Sequence, residues 1–319
     1  MGNINAGWTY SDRVTAKGAG QTVLDFYVAR YHHSDSTTWR QRIEAGQILI
    51  NDRPVTPATV LERGQTVTYR RSPWQEPEVP LALPILHQDQ DLWAVHKPSG
   101  LPVLPGGEFV HHTVLQQLKI QYPDESLTPL HRLGRGTSGV LLLGRSPLAR
   151  RSLSQQFRDH QCRKVYRALV TAGDLPEYFE CHQAIGKIPY AQLGYLYAAS
   201  PTGKPAFSQG RVLARFPDKT LVEVEIRTGR PHQIRIHLAA LGFPLWNDPL
   251  YTVGGIPADH HTAIPSDCGY WLHAHRLGFT HPRREEWLEI QAPLPEGLEL
   301  LPSFREQASG KMTIASPNE

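Results

Sequence analysis

The sequence predicts an α+β protein built as two domains, and three observations carry that reading. Helix-period and strand-period segments interleave along the chain. Residues 72–84 hold four prolines in thirteen positions, a composition that stops helices and stiffens a linker. The 319 residues, 40% hydrophobic and 20% charged, suit a large globular domain with a smaller appendage.

Taken in order, residues 1–20 are rich in Gly, Asn, Thr and Ser and are expected as a flexible N-terminus. Residues 21–71 form the small domain. Val23, Leu24, Tyr27 and Val28 recur at helical spacing, and Ser36 or Thr37 is placed to cap a second helix through Trp39, Arg40, Arg42 and Ile43. Strand-prone runs follow at Gln47–Ile50 and Thr66–Tyr69, the first ending in an Asn51-Asp52 turn. After the 72–84 linker, the large domain spans 85–302, and 303–319 is expected as a flexible tail.

Within the large domain, a strand from Asp91 breaks at Lys97-Pro98-Ser99-Gly100. Val140–Leu143 is a short apolar run ended by Gly144, as in a buried strand. Ser146 and Pro147 cap and open a helix from Leu148 to His160. Arg163–Val170 and Leu221–Ile226 are strand-prone. Pro231 opens another helix, with Ile234, Leu238 and Leu241 on one face and His232 and Arg235 projecting elsewhere.

Several functions are disfavoured on residues alone. Gly134-Arg-Gly136-Thr-Ser-Gly139 satisfies G-x-G-x-x-G, yet a strand rather than a helix leaves it, so no helix N-terminus receives a pyrophosphate. Cys162, Cys181 and Cys268 stand far apart and odd in number, which argues against disulfides or thiolate zinc and for a reducing, cytoplasmic setting. No run approaches about 18 apolar residues, so no membrane span is expected. The pairs His32-His33, His111-His112 and His260-His261, with His273 and His275, do not read as a ligand set, and no metal is expected. A net charge of +3 permits a polyanionic partner without demanding one.

The run His131-Arg-Leu-Gly-Arg-Gly-Thr-Ser-Gly139 resembles the signature of the RluA family of pseudouridine synthases, His-Arg-Leu-Asp followed two residues later by an acidic residue and Thr-Ser-Gly. Three further blocks resemble that family in its order: Asp91–Gly107 around Lys97-Pro-Ser-Gly100, Arg163–Val170, and Glu225–Tyr251 around Arg230-Pro-His-Gln-Ile-Arg235. Residues 21–71 are similar to the S-four-like RNA-binding module that precedes many such domains. The resemblance implies a mixed, mostly antiparallel β-sheet with flanking helices and a central cleft. In the cleft a uridine flipped from ribosomal or transfer RNA is isomerised to pseudouridine without cofactor or metal. It implies RNA as partner to a monomer.

The same resemblance assigns roles. Gly134 occupies the position of the catalytic aspartate, a carboxylate that attacks the anomeric carbon or removes a proton. Tyr166 is the tyrosine that stacks on the base or assists proton removal. Arg230, with Arg235 second, is the arginine that pairs with the acid. His131, Arg132, Arg135, Arg145, Arg163, Arg230 and Arg235 form an RNA-facing rim, and Arg40, Arg42 and Arg53 serve the small domain. Two readings follow: an active synthase whose carboxylate comes from Asp248, Asp159, Glu108 or Asp91, or whose acid is partly replaced by water, and a catalytically inactive RNA-binding protein on the same scaffold.

Overall fold

The structure is a computed structural model that describes residues 4–258 and 262–299. The tail at 303–319 and the pair His260-His261 lie outside the described residues. The chain divides into two compact units. The first comprises Met1–Glu78, Gly106–His111 and Pro189–Leu196, and the second comprises the remaining segments.

In the first unit, β1 (Trp8–Arg13), α1 (Val23–Arg30), α2 (Ser36–Glu44), β2 (Ile48–Ile50), β3 (Arg53–Pro54) and β4 (Thr66–Arg71) follow one another. The sheet order is β1-β4-β2-β3. β1 lies in the segment whose composition suggests no element. It runs antiparallel to β4 from Trp8↔Arg71 to Arg13↔Thr66, and Tyr10 stacks on Tyr69 at 5.8 Å. Thr22 caps α1 by accepting from Asp25 N. Asp35, one residue before the expected cap, accepts from Thr38 N at 2.7 Å; its carboxylate also suits the positive end of the helix dipole. Val23, Tyr27, Trp39, Ile43, Ile48 and Val67 close the core.

The elements that follow along the chain are β5 (Ile85–Gln88), β6 (Leu92–Lys97), α3 (Val114–Gln121), β7 (Thr128–Pro129), β8 (Ser138–Gly144), α4 (Pro147–Arg158), β9 (Arg163–Thr171), β10 (Tyr178–Cys181), β11 (Ile185–Tyr190), β12 (Gly194–Ala199), β13 (Ser208–Arg215), β14 (Lys219–Ile226), α5 (Gln233–Ala240), β15 (Tyr251–Thr252), β16 (Ile256–Pro257), β17 (Leu272–Thr280) and β18 (Trp287–Gln291). Ten strands form one mixed sheet in the order β10-β13-β14-β9-β17-β8-β6-β5, with β18 beside β17 and β7 beside β8. Every pairing in it is antiparallel except that of β8 with β17.

The uninterrupted apolar run in β8 has a direct cause. Val140 and Leu142, with Leu92 and Ala94 of β6, pack on Ala149 and Leu153 of α4; Leu141 and Leu143, with Trp93 and Val95, pack with Val114 and Leu118 of α3. Both faces are covered, so alternation of polar and apolar residues disappears. Ser146 Oγ accepts from Ala149 N, capping α4.

Helix α5 departs from expectation at its start. It begins at Gln233, not at Pro231, because His232 adopts a left-handed φ of 55°. The Gln233 amide then organises the loop: Oε1 accepts from Thr228 Oγ1 and Arg230 N, and Nε2 donates to Phe207 O and Ser208 Oγ. The helix is buried from Gln233 through Ala239, so Arg235 faces the interior. No described helix is long and apolar enough to cross a membrane.

Candidate active site

The loop preceding β8 is anchored by the 97–100 turn. Lys97 is completely buried, and its ammonium donates to the carbonyls of Pro98 (2.8 Å), Leu101 (2.6 Å) and Arg135 (3.1 Å). Burial pulls its pKa down to about 7. Ser99 Oγ donates to Gly136 O at 2.8 Å, and Gly100 N donates to Arg135 O at 2.8 Å. Gly139, at φ 113°, closes the loop where β8 meets β17; a Cβ there would lie 2.2 Å from the Ala274 carbonyl oxygen, so only glycine fits.

Against this loop lies a cavity of about 110 Å³. Arg132, Gly134 and Thr137 come from the loop, Tyr166 from β9, Arg230 and His232 from the approach to α5, and Tyr270 from the approach to β17; Ile226, Ile234 and Leu272 are apolar lining. Thus Gly134, Tyr166, Arg230 and Arg132 are brought together. No carboxylate is among the described residues that line the cavity.

Tyr270 occupies the space in front of the two glycines of the loop. A Cβ on Gly134 would stand 3.0 Å from Tyr270 Oη, and one on Gly136 would stand 2.9 Å from Tyr270 Cζ. Tyr270 is held from behind by the Arg235 guanidinium, 4.2 Å from its ring centroid. Burial pushes the Tyr270 phenol above its ordinary range. Tyr166 is half-buried, with its phenol pushed up to about 12 by burial. Its hydroxyl has no hydrogen-bond partner among the described residues.

Arg235 corrects the sequence reading, which sends it to RNA. Its side chain is 2% exposed and makes two bonds of 2.7 Å to Asp248, itself 1% exposed, with a third to Pro265 O. Asp248 also accepts from Leu250 N and Tyr251 N, so neither member of the pair is available to RNA or to chemistry. None of the other expected carboxylates is among the residues that line the cavity. Asp91, fully buried, is held by Arg283 and Ser146; Asp159 ends α4 beside Gln155; Glu108 belongs to the first unit.

His131 also departs from its expected place. Its Nε2 accepts from Leu142 N at 3.0 Å, its ring stacks on Phe157, and burial holds its pKa near 4, so it stays neutral and cannot bind phosphate as a cation. Arg135 donates to Ser266 O, Arg145 grips Glu125, and Arg163 pairs with Glu225 and Glu289. Arg132 is exposed, and the Arg230 guanidinium donates its Nε to Pro205 O. In the first unit Arg40 and Arg53 are exposed, while Arg42 lies across Trp39 at 4.7 Å and donates to Ser34 Oγ.

Two lining residues had no role in the sequence reading. His232 is turned into the wall by its left-handed backbone and meets Tyr251 Oη at 2.8 Å. Tyr270 precedes β17 with no local pattern to mark it. Both are positioned by partners distant in sequence.

Known proteins resemble this chain in sequence and in fold. The family model for RNA pseudouridylate synthase matches residues 91–240. An uncharacterised RNA pseudouridine synthase of Synechocystis sp. is 65% identical over 276 residues, covering 86% of this chain and 95% of that one. The ribosomal large subunit pseudouridine synthase D of Neisseria meningitidis serogroup B is 31% identical over 317 residues, covering 95% and 83% respectively. The solved structure of human RNA pseudouridylate synthase domain containing 4 superposes with a TM-score of 0.51 at 25% identity, over 66% of this chain and 88% of that one.

Proposed function

Because the chain belongs to the RNA pseudouridylate synthase family, we propose that its cavity receives one uridine of a structured RNA and isomerises it to pseudouridine. The observation that carries this assignment is the convergence of Arg132, Tyr166 and Arg230 on one pocket beside the Gly134 loop. Tyr166 offers an aromatic face to an everted base, which stacking holds without regard to the surrounding sequence. Arg132 and Arg230 give the flanking phosphates two cationic partners.

Ribosomal or transfer RNA is the substrate class. The name of the Neisseria relative favours a ribosomal target. The first unit is an RNA-binding appendage in which Arg40, Arg42 and Arg53 contact phosphate, and the protein acts as a monomer in the cytoplasm. The pocket needs no cofactor or metal for an isomerisation in which nothing is oxidised.

A second reading has one observation in its favour: no carboxylate lines the cavity among the described residues, as an RNA binder without turnover would permit. Incubation of the purified chain with unmodified ribosomal and transfer RNA transcripts, followed by mapping of pseudouridine, separates the two. Site-specific pseudouridine supports the synthase; tight binding with no product supports the binder.

A further inference from the structure

A pocket without a carboxylate still has to move a proton, because pseudouridine forms only when the hydrogen on C5 of the base leaves. The arginines lining the cavity are donors without lone pairs to offer. The Gln233 amide is engaged at both ends. Tyr166 and Tyr270 are phenols that burial keeps protonated.

His232 differs, and one chain of hydrogen bonds fixes its tautomer. Tyr251 Oη donates its single proton to Tyr197 O at 2.6 Å. The 2.8 Å contact between Tyr251 Oη and His232 Nδ1 is therefore donated by the imidazole, so Nδ1 carries the hydrogen. Nε2 is left with an unshared pair and has no hydrogen-bond partner among the described residues. Burial, reinforced by Arg235 and Arg132 and only partly offset by Asp248, keeps the ring neutral down to about 4. The backbone at His232 is left-handed, at φ 55°.

Resting on the isomerase reading above, we propose that His232 Nε2 is the proton acceptor of the reaction. The N1–C1′ bond breaks, and C5 bonds to C1′ while still carrying its hydrogen, leaving an N1=C6 double bond. His232 Nε2 then takes the C5 proton. The C–H electron pair becomes the C5=C6 bond, the N1=C6 pair moves to N1, and N1 receives a proton from Nε2–H, directly or through water. Atoms and electrons balance, and the imidazole returns to its starting state.

Two variants suit the left-handed backbone. His232→Asn retains an N–H for Tyr251 and deletes Nε2; His232→Gly leaves room for imidazole from solution. The assay is tritium release from unmodified ribosomal and transfer RNA transcripts carrying [5-³H]uridine. The expected result is a loss of about 100-fold or more in His232→Asn, with RNA affinity and thermal midpoint unchanged, and recovery of His232→Gly by added imidazole. Turnover of His232→Asn within about twofold of the parent protein overturns the assignment while leaving the isomerase reading intact. Absence of release from the parent protein overturns both. Should the variants not fold, ¹⁵N spectroscopy of the parent protein decides: an unprotonated Nε2 at neutral pH is expected, and a proton on Nε2 overturns the proposal.

Discussion

Tyr270 stands where a side chain on Gly134 would go, its hydroxyl 3.0 Å from the position of the missing Cβ. The glycine and the tyrosine are therefore steric complements. Gly134→Ala is expected to cost about 1–3 kcal/mol, and Tyr270→Phe, which removes the obstructing oxygen, to recover part of that loss. Chemical denaturation of both single variants and the double variant measures the coupling. At Gly136 the nearest obstructing atoms are the ring carbons Cζ and Cε1, at 2.9 and 3.0 Å, with the hydroxyl at 3.1 Å, so the same Tyr270→Phe change is expected to relieve Gly136→Ala less.

The buried pair Arg235–Asp248 behaves differently from a surface ion pair. Replacing Asp248 with Ala leaves a guanidinium uncompensated in the interior and is expected to destabilise the fold by about 3–5 kcal/mol. Replacing both members with apolar residues of similar volume is expected to cost less. Urea midpoints of the two variants test this ordering.

Acid sensitivity follows from histidines held neutral. Burial depresses His131 and His237 to about 4 and His273 to about 3. An unfolded histidine binds its proton near pH 6.5, so between that pH and about 4 the unfolded chain takes up protons that the folded chain refuses. Stability is unaffected above this window and falls as pH drops through it. His131→Gln keeps an acceptor for Leu142 N while removing the titration, and is expected to lessen the acid-induced loss by roughly 1–3 kcal/mol. Denaturation at pH 7 and pH 5 supplies the comparison.

At the cavity, Arg132→Gln and Arg230→Gln each remove one cation from the lining proposed to hold phosphate. Each is expected to weaken RNA binding and reduce the slope of log affinity against log salt by about 1. An Arg235→Met change, by contrast, is expected to act through stability, since Arg235 is buried. Filter binding across salt concentrations distinguishes the two cases.

In the first unit, charge reversal at Arg40 and Arg53 together is expected to raise the RNA concentration for half-maximal turnover while leaving the rate at saturation unchanged. Steady-state kinetics on a full-length transcript provide the measurement.

Local signals in the sequence were sufficient where local physics decides. Ser146-Pro147 marks the start of α4, and Val140–Leu143 is a strand because both of its faces are covered. They were insufficient where distant partners decide. β1 depends on pairing with β4, more than fifty residues away, and α5 starts late at a left-handed His232 whose ring meets Tyr251. The motif blocks located most of the cavity wall. They did not reveal that Arg235 turns inward to Asp248, that His131 serves Leu142, or that Tyr270 fills the space before the glycines. Each is a contact between segments with no shared pattern.

The seam between β8 and β17 joins Ser138 to His273, 135 residues apart, and Gly139 to Ala274 beside it. During synthesis the signature loop emerges from the ribosome long before its opposite wall exists. A nascent chain ending before Tyr270 has the anchoring turn and the glycines but no enclosure around them. Closure of so distant a pairing is a slow step, so competence to isomerise uridine is expected to appear only after β17 has been made.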